Sequence, residues 1–151
     1  MFRSVCAAGA LLFSLWLVPA AAADYQIRML NQSPEGMMQF SPQLLKIATG
    51  DTVHFLAIDK GHNAKSVDGM IPDGAKPFSG LTGEDFAVTL TVPGVYGYRC
   101  TPHGVLGMVG LIVVGKPVNE NAAKAAAMPG MAGHVFAKLF QSLDSSRTAA
   151  N

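Results

Sequence analysis

The stretch Phe86-Ala87-Val88-Thr89-Leu90-Thr91-Val92-Pro93-Gly94-Val95-Tyr96-Gly97-Tyr98-Arg99-Cys100 decides the fold class. Its first seven residues alternate large apolar with small or polar side chains, the period-two pattern of a strand with one buried face. Pro93-Gly94 predicts a tight turn, and residues 95–100 read as the returning strand.

The same texture extends outward in both directions. Residues 25–30 alternate in places, and residues 37–40 follow the turn-like Ser33-Pro34-Glu35-Gly36. Residues 44–48 lead to the Gly50-Asp51 turn. Residues 52–58 put Val53, Phe55 and Ala57 on one face and His54, Leu56 and Ile58 on the other. Residues 108–114 complete a set of seven short runs punctuated by Gly and Pro. That spacing predicts an all-β domain, a Greek-key β-sandwich of eight or nearly eight strands. Between them, residues 59–85 form a long connection rich in Gly, Pro, Asp and Lys, and long ordered connections in compact domains are often functional.

The two ends of the chain differ from this middle. Met1-Phe2-Arg3, an apolar run over residues 7–18, Pro19 and then Ala21-Ala22-Ala23 predict a secretory signal peptide over residues 1–23, cut before Asp24. The apolar run is shorter than the ~20 residues of a membrane span, so a leader is expected rather than an anchor, and no membrane insertion. Beyond the domain at residues 24–115, the texture turns helical. Residues 119–127 are Ala-rich, and Val135, Phe136, Leu139, Phe140 and Leu143 mark one face of an amphipathic helix. Residues 116–151 are therefore expected to form a C-terminal helical tail packed on the sandwich.

Export would leave 128 residues with ten basic and ten acidic side chains. Zero net charge, with no basic stripe interleaved with aromatics, argues against nucleic acid as a partner. Cys6 leaves with the leader, so Cys100 is the only thiol of the exported domain. Exported domains usually pair their cysteines, and a lone thiol in an oxidising compartment calls for burial or committed chemistry.

Tyr98-Arg99-Cys100-Thr101-Pro102-His103-Gly104-Val105-Leu106-Gly107-Met108 supplies that chemistry. A thiolate, an imidazole and a thioether fall within nine residues as C-x2-H-x4-M, at a place where one strand turns back into another. Soft sulfur donors with imidazole suit copper, and a plane of two His and one Cys with a long axial Met describes a blue-copper electron-transfer site. His62, straight after a predicted strand, supplies the second imidazole. Thr101 and Asn63 are candidates to brace the two ligand loops by hydrogen bonds. Structural zinc is a rival, but it favours two or more Cys and no thioether. A Cys100 nucleophile with a histidine base is another rival, without a recognised sequence context. His54 and His134 read as packed or surface side chains. Met37 and Met38 have no spacing to the ligand set, and their proximity to it is left open. A multicopper enzyme would need more histidines than His54 and His134 provide. A copper carrier would favour exposed Met and His, of which Met128 and Met131 beside His134 are the only hint.

Several segments together resemble the cupredoxin family, and within it the pseudoazurins: Met29-Leu30-Asn31, Gly50-Asp51-Thr52-Val53, Asp59-Lys60-Gly61-His62-Asn63, Met70-Ile71-Pro72-Asp73-Gly74-Ala75 and Cys100-Thr101-Pro102-His103, in that order. The resemblance spans residues 25–115 and extends loosely into the tail. It implies one copper cycling between Cu(I) and Cu(II), bound by His62, Cys100, His103 and Met108, in a periplasmic electron carrier rather than an enzyme. It implies redox-protein partners: copper nitrite reductase or other periplasmic reductases, with c-type cytochromes or quinol-linked donors. A monomer or weak dimer is expected. The resemblance further implies that His103 is the electron port, within an apolar docking patch of Pro102, Gly104, Val105 and Leu106. It places Lys60 at the rim of that patch, with Lys46, Lys65 and Lys76 as further contributors. The Asn63 backbone amide would hydrogen-bond the thiolate. Two positions depart from many relatives, which carry bulk after the second His and a Met before the Gly-Met pair. Gly104 and Leu106 stand there instead.

Overall fold

A computed structural model describes residues 21–126 and 128–149, so the leader expected at residues 1–23 falls almost wholly outside the described residues. In chain order the elements are β1 (Asp24–Ser33), β2 (Gly36–Ser41), β3 (Leu44–Ile47), β4 (Thr52–Leu56), β5 (Lys65–Ser66), β6 (Phe86–Thr89), β7 (Gly94–Arg99), a 3-10 turn (Gly104–Leu106), β8 (Val109–Val114), α1 (Glu120–Ala125) and α2 (Gly130–Thr148). The strands form two four-stranded sheets, ordered β2-β1-β4-β6 and β3-β8-β7-β5. The chain is thus the all-β sandwich with a helical tail that its patterning predicts.

The alternation read in residues 52–58 is the inward and outward alternation of β4. Val53 and Phe55 are fully buried and Ala57 nearly so, while His54 points outward and meets the Asp24 carboxylate at 2.8 Å. Between the sheets, Phe40, Phe55 and Tyr98 pack edge to face, with ring centroids 4.8 Å (Phe40–Tyr98) and 5.2 Å (Phe55–Tyr98) apart. Such pairs add about 0.5–1.5 kcal/mol each beyond the area they bury.

β8 is an unbroken apolar run because both of its faces are covered. Ile112 and Val114 face the core between the sheets, whereas Val109, Leu111 and Val113 face the helices. There they meet Ala132, Phe136, Leu139, Phe140 and Leu143 of α2; the last four belong to the stripe expected from the tail's periodicity, whose remaining member, Val135, is half-buried against the same layer. Asn119 ties α1 to this layer. Its Oδ1 accepts the Val95 N–H at 2.6 Å and its Nδ2 donates to the Val95 carbonyl at 2.9 Å, in the manner of a neighbouring strand.

Several boundaries shift by a few residues from the sequence reading, and three differences have a clear physical reason. β6 ends at Thr89 rather than Val92, because the Leu90 N–H donates to the Asp51 carbonyl and the Gly50 N–H to the Leu90 carbonyl, drawing the chain into the turn before β4. Gly94 opens β7 instead of sitting in a turn. The connection over residues 59–85 contains the eighth strand, β5, which pairs Lys65 with Arg99 and Ser66 with Tyr98. At two residues it is too short for a periodic signature.

Two pairings position the site. β1 and β4 run parallel, with Gln26 opposite His54 and Arg28 opposite Leu56, so the end of β1 lies beside the loop that leaves β4. β7 and β8 are antiparallel with Arg99 opposite Val109, so the residues between them form one closed loop at the same end of the sandwich.

Candidate metal centre

Residues 100–108 fold into a compact loop for local reasons. The Cys100 N–H donates to the Met108 carbonyl (3.0 Å), the Gly104 N–H to the Cys100 carbonyl (2.8 Å) and the Met108 N–H to the His103 carbonyl (3.2 Å). The single 3-10 turn ends at Gly107, whose φ of 95° is a left-handed conformation that glycine adopts without a Cβ clash. These bonds fix Cys100, His103 and Met108 relative to one another. Cys100 and Met108 are fully buried.

His62 arrives from the other sheet and is also fully buried. Its Nδ1 lies 3.0 Å from His103 Nδ1 and 3.8 Å from Cys100 Sγ, and His103 Nδ1 lies 3.5 Å from that sulfur. A circle through the three atoms has a radius of about 2.0 Å, so one point in their plane sits at that distance from all of them. Metal–nitrogen bonds of ~2.0–2.1 Å and metal–sulfur bonds of ~2.3 Å match this spacing. Among the described residues this is the one group of three or more His, Cys, Asp or Glu that could hold a metal ion.

The two rings meet at 63° with centroids 4.8 Å apart. Nε2 of His62 lies 2.8 Å from Asn31 Oδ1. An amide oxygen accepts but cannot donate, so Nε2 carries the proton and Nδ1 offers its lone pair to the centre. Burial holds the His62 imidazole below its usual pKa, and the neighbouring His103 lowers it further while Asp59 opposes. Both effects keep the ring neutral and its lone pair available near neutral pH.

Asn63 and Thr101 lie together between the two ligand loops. Asn63 Oδ1 accepts the Thr101 N–H at 2.8 Å, and Nδ2 donates to Thr101 Oγ1 and to the Gly80 carbonyl, each at 3.1 Å.

Around His103, which is itself half-buried, Pro102, Val105 and Leu106 are exposed, the last two by 69% and 62%. Gly104 does not join this patch. It is buried beneath the Arg99 side chain, whose Cβ and Cδ would stand 3.4 Å from a Cβ placed there. The space left by the missing side chain is therefore covered by Arg99. Lys60 is exposed and donates to the Gly83 carbonyl at 2.9 Å. Met37 and Met131 line a groove of about 340 Å³ beside Leu106. His54 and His134 lie apart from the centre: His54 is on the outer face of β4 and His134 on the exposed side of α2. Sequence reasoning did not single out Asn31 or Asp59 as parts of the site. Asn31 stood in the family-like run Met29-Leu30-Asn31, but its contact with His62 crosses 31 positions.

Residues 27–115 match the model of the copper-binding proteins of the plastocyanin/azurin family. A pseudoazurin from Methylorubrum extorquens is 43% identical over 127 residues, covering 83% of this chain and 86% of the relative. One from Paracoccus pantotrophus is 41% identical, covering 84% and 88%. This chain belongs to the pseudoazurin branch of that copper-binding family. Among solved structures, a pseudoazurin from Sinorhizobium superposes with a TM-score of 0.80 at 42% identity, covering 82% of this chain and 98% of the other. The pseudoazurin of Methylobacterium extorquens AM1 gives 0.77 at 40% identity, covering 80% and 98%. The family's copper fits the donor set found here: two imidazoles and a thiol around one point, with the buried Met108 tied to Cys100 and His103 through its backbone.

Proposed function

We propose that this chain is an electron carrier whose single copper is held by His62, Cys100, His103 and Met108. The observation that carries this reading is the near-equidistant placement of the two Nδ1 atoms and Sγ around one point, on loops closed by backbone hydrogen bonds. When bound, copper supplies a one-electron step between Cu(I) and Cu(II). The protein's residues do the rest. Cys100 would hold the copper as thiolate together with the imidazoles of His62 and His103, and Met108 would add a thioether that tunes the site. Burial of Cys100, His62 and Met108 excludes water, so little has to reorganise when charge changes. Half-buried His103 is the route for the electron, because it alone of the four reaches the surface.

Pro102, Val105 and Leu106 then form the docking patch, with Lys60 at its rim. Partners are redox proteins presenting a complementary apolar surface, with copper nitrite reductase as an acceptor and c-type cytochromes or quinol-linked enzymes as donors. A shuttle must dissociate quickly, which favours interfaces of roughly 1,200 Å² or less. The leader read in residues 1–23 makes the periplasm the site of action. Among the described residues no helix is long and apolar enough to cross a membrane.

The test is the visible spectrum of the exported protein loaded with Cu(II). An intense thiolate-to-copper band, bleached by reductant and absent in Cys100→Ser, is expected. A colourless protein that binds zinc equally well would overturn the reading. Stopped-flow mixing of the reduced protein with copper nitrite reductase tests the partner separately.

A further inference from the structure

We propose that Asp59 and Asn31 act as a positioning pair for His62: Asp59 fixes Asn31, and Asn31 fixes which imidazole nitrogen faces the metal. The inference rests on the reading of His62 as a copper ligand.

Asn31 lies near the end of β1 and is exposed to solvent. A free surface amide samples several rotamers, and ordering it opposes the single hydrogen bond it makes to a ring. Here the backbone that carries the side chain is fixed beforehand, so only its two side-chain torsions remain to be ordered. The Asn31 N–H donates to Asp59 Oδ2 at 2.7 Å, and the Asp59 N–H donates to the Met29 carbonyl at 3.2 Å. The two segments are thereby stitched at two points, with Asn31 Oδ1 left 2.8 Å from His62 Nε2. Asp59 also precedes His62 by three residues on the same loop, so the stitch that fixes the Asn31 backbone also fixes the backbone carrying the ligand. The parallel pairing of β1 with β4 makes this possible, since it delivers both strand ends to the same edge.

Two roles for Asp59 must be separated. As a positioning group it needs only an acceptor oxygen for the Asn31 N–H. As a bare charge near the imidazole it needs its negative charge and not the hydrogen bond. Asp59→Asn keeps an acceptor and removes the charge, whereas Asp59→Ala removes both.

The experiment measures Cu(II) affinity of the mature protein by chelator competition, together with the thiolate-to-copper band. Asn31→Ala is expected to weaken copper by about 10–100-fold, the usual cost of losing a partner of a metal-bound histidine. Asn31→Asp, which restores an acceptor, is expected to recover most of that loss. Asp59→Ala weakens binding in the same direction, but by less than about twofold once Asn31 is already Ala, as expected for groups acting in series. Asp59→Asn stays close to the parent. Asn31→Leu, with volume but no acceptor, repeats the measurement should the Ala variant not fold.

Parent-like affinity in both Asn31→Ala and Asn31→Leu would overturn the proposal. So would equal losses in Asp59→Asn and Asp59→Ala, which would mark Asp59 as a through-space charge. Failure of the underlying site reading looks different: the parent protein itself would lack the band.

Discussion

Asn63 holds Thr101 by both ends of its amide, accepting the Thr101 N–H at 2.8 Å and donating to its hydroxyl at 3.1 Å. Thr101 directly follows the thiol-bearing Cys100, and Asn63 directly follows His62. The pair therefore locks the spacing of the two ligand loops. Asn63→Ala is expected to destabilise the protein by about 1–3 kcal/mol, since it also removes the partner of the Thr101 N–H and of the Gly80 carbonyl. Copper affinity should fall in parallel. Urea denaturation and chelator competition on the same samples check both.

Gly107 meets α2 directly. A Cβ there would stand 3.0 Å from Met131 Cγ and 3.1 Å from Val135 Cγ2, at a φ of 95°. Gly107→Ala should cost about 1–3 kcal/mol from the backbone conformation and the crowding together. Adding Met131→Ala is expected to recover only the crowding. A full recovery in denaturant melts would show that the backbone conformation is not strained by a side chain.

Docking is tested at Leu106. Leu106→Glu places charge beside the imidazole of His103 without touching a ligand, and the visible spectrum should stay unchanged. Electron exchange with a redox partner is expected to slow about tenfold, the effect of roughly 1.4 kcal/mol at an interface. Unchanged kinetics would move the port away from His103.

Acid stability should depend on Glu120. Arg147 hydrogen-bonds its carboxylate and holds it below the usual carboxylate range, with Lys124 helping. A folded-state pKa below the unfolded one adds stability that is full above the unfolded value of 4.5 and disappears as pH falls through the folded value. Melting curves of Glu120→Gln and the parent should thus differ at pH 7 and converge on acidification. A constant difference down to pH 2 would contradict this.

Alkaline stability should depend on Tyr98. Its phenol is fully buried without a hydrogen-bond partner among the described residues, and burial pushes its pKa far above 10.0. The sign is opposite to that of Glu120. Stability is complete below the unfolded pKa and declines as pH rises beyond it, because only the unfolded chain can ionise there. Tyr98→Phe removes both the unpaired hydroxyl and the ionisation. It should be neutral or stabilising at pH 7, and its advantage should grow between pH 10 and pH 12.

The sandwich was legible because β-branched and aromatic residues recur at period two with Gly and Pro between them, as in residues 52–58 and 86–92. Cys100, His103 and Met108 were legible because their spacing is local, and His62 because its loop follows a strand and carries a family-like run. The pairings that complete the picture are not local. β5 has two residues and exists only because Arg99 and Tyr98 offer it an edge. The hydrogen bond from His62 to Asn31 depends on β1 and β4 running parallel, which no residue pattern in either strand dictates. Gly104 looked like missing bulk beside His103, yet Arg99, half-buried over it, covers that position.

His62 leaves the sheet containing β4, and Cys100 leaves the sheet containing β7, 38 positions later. With copper at the centre proposed for it, these two positions become cross-linked through the metal. Many exported domains make such a tie with a cystine, but Cys100 is the only thiol among the described residues. The bond is therefore a reversible staple whose strength varies with free metal, because a ligand held only by the native state stabilises that state by mass action. Metal supply and the integrity of this end of the sandwich are then one equilibrium, and a metal-starved cell would hold a looser protein as well as an electrically silent one.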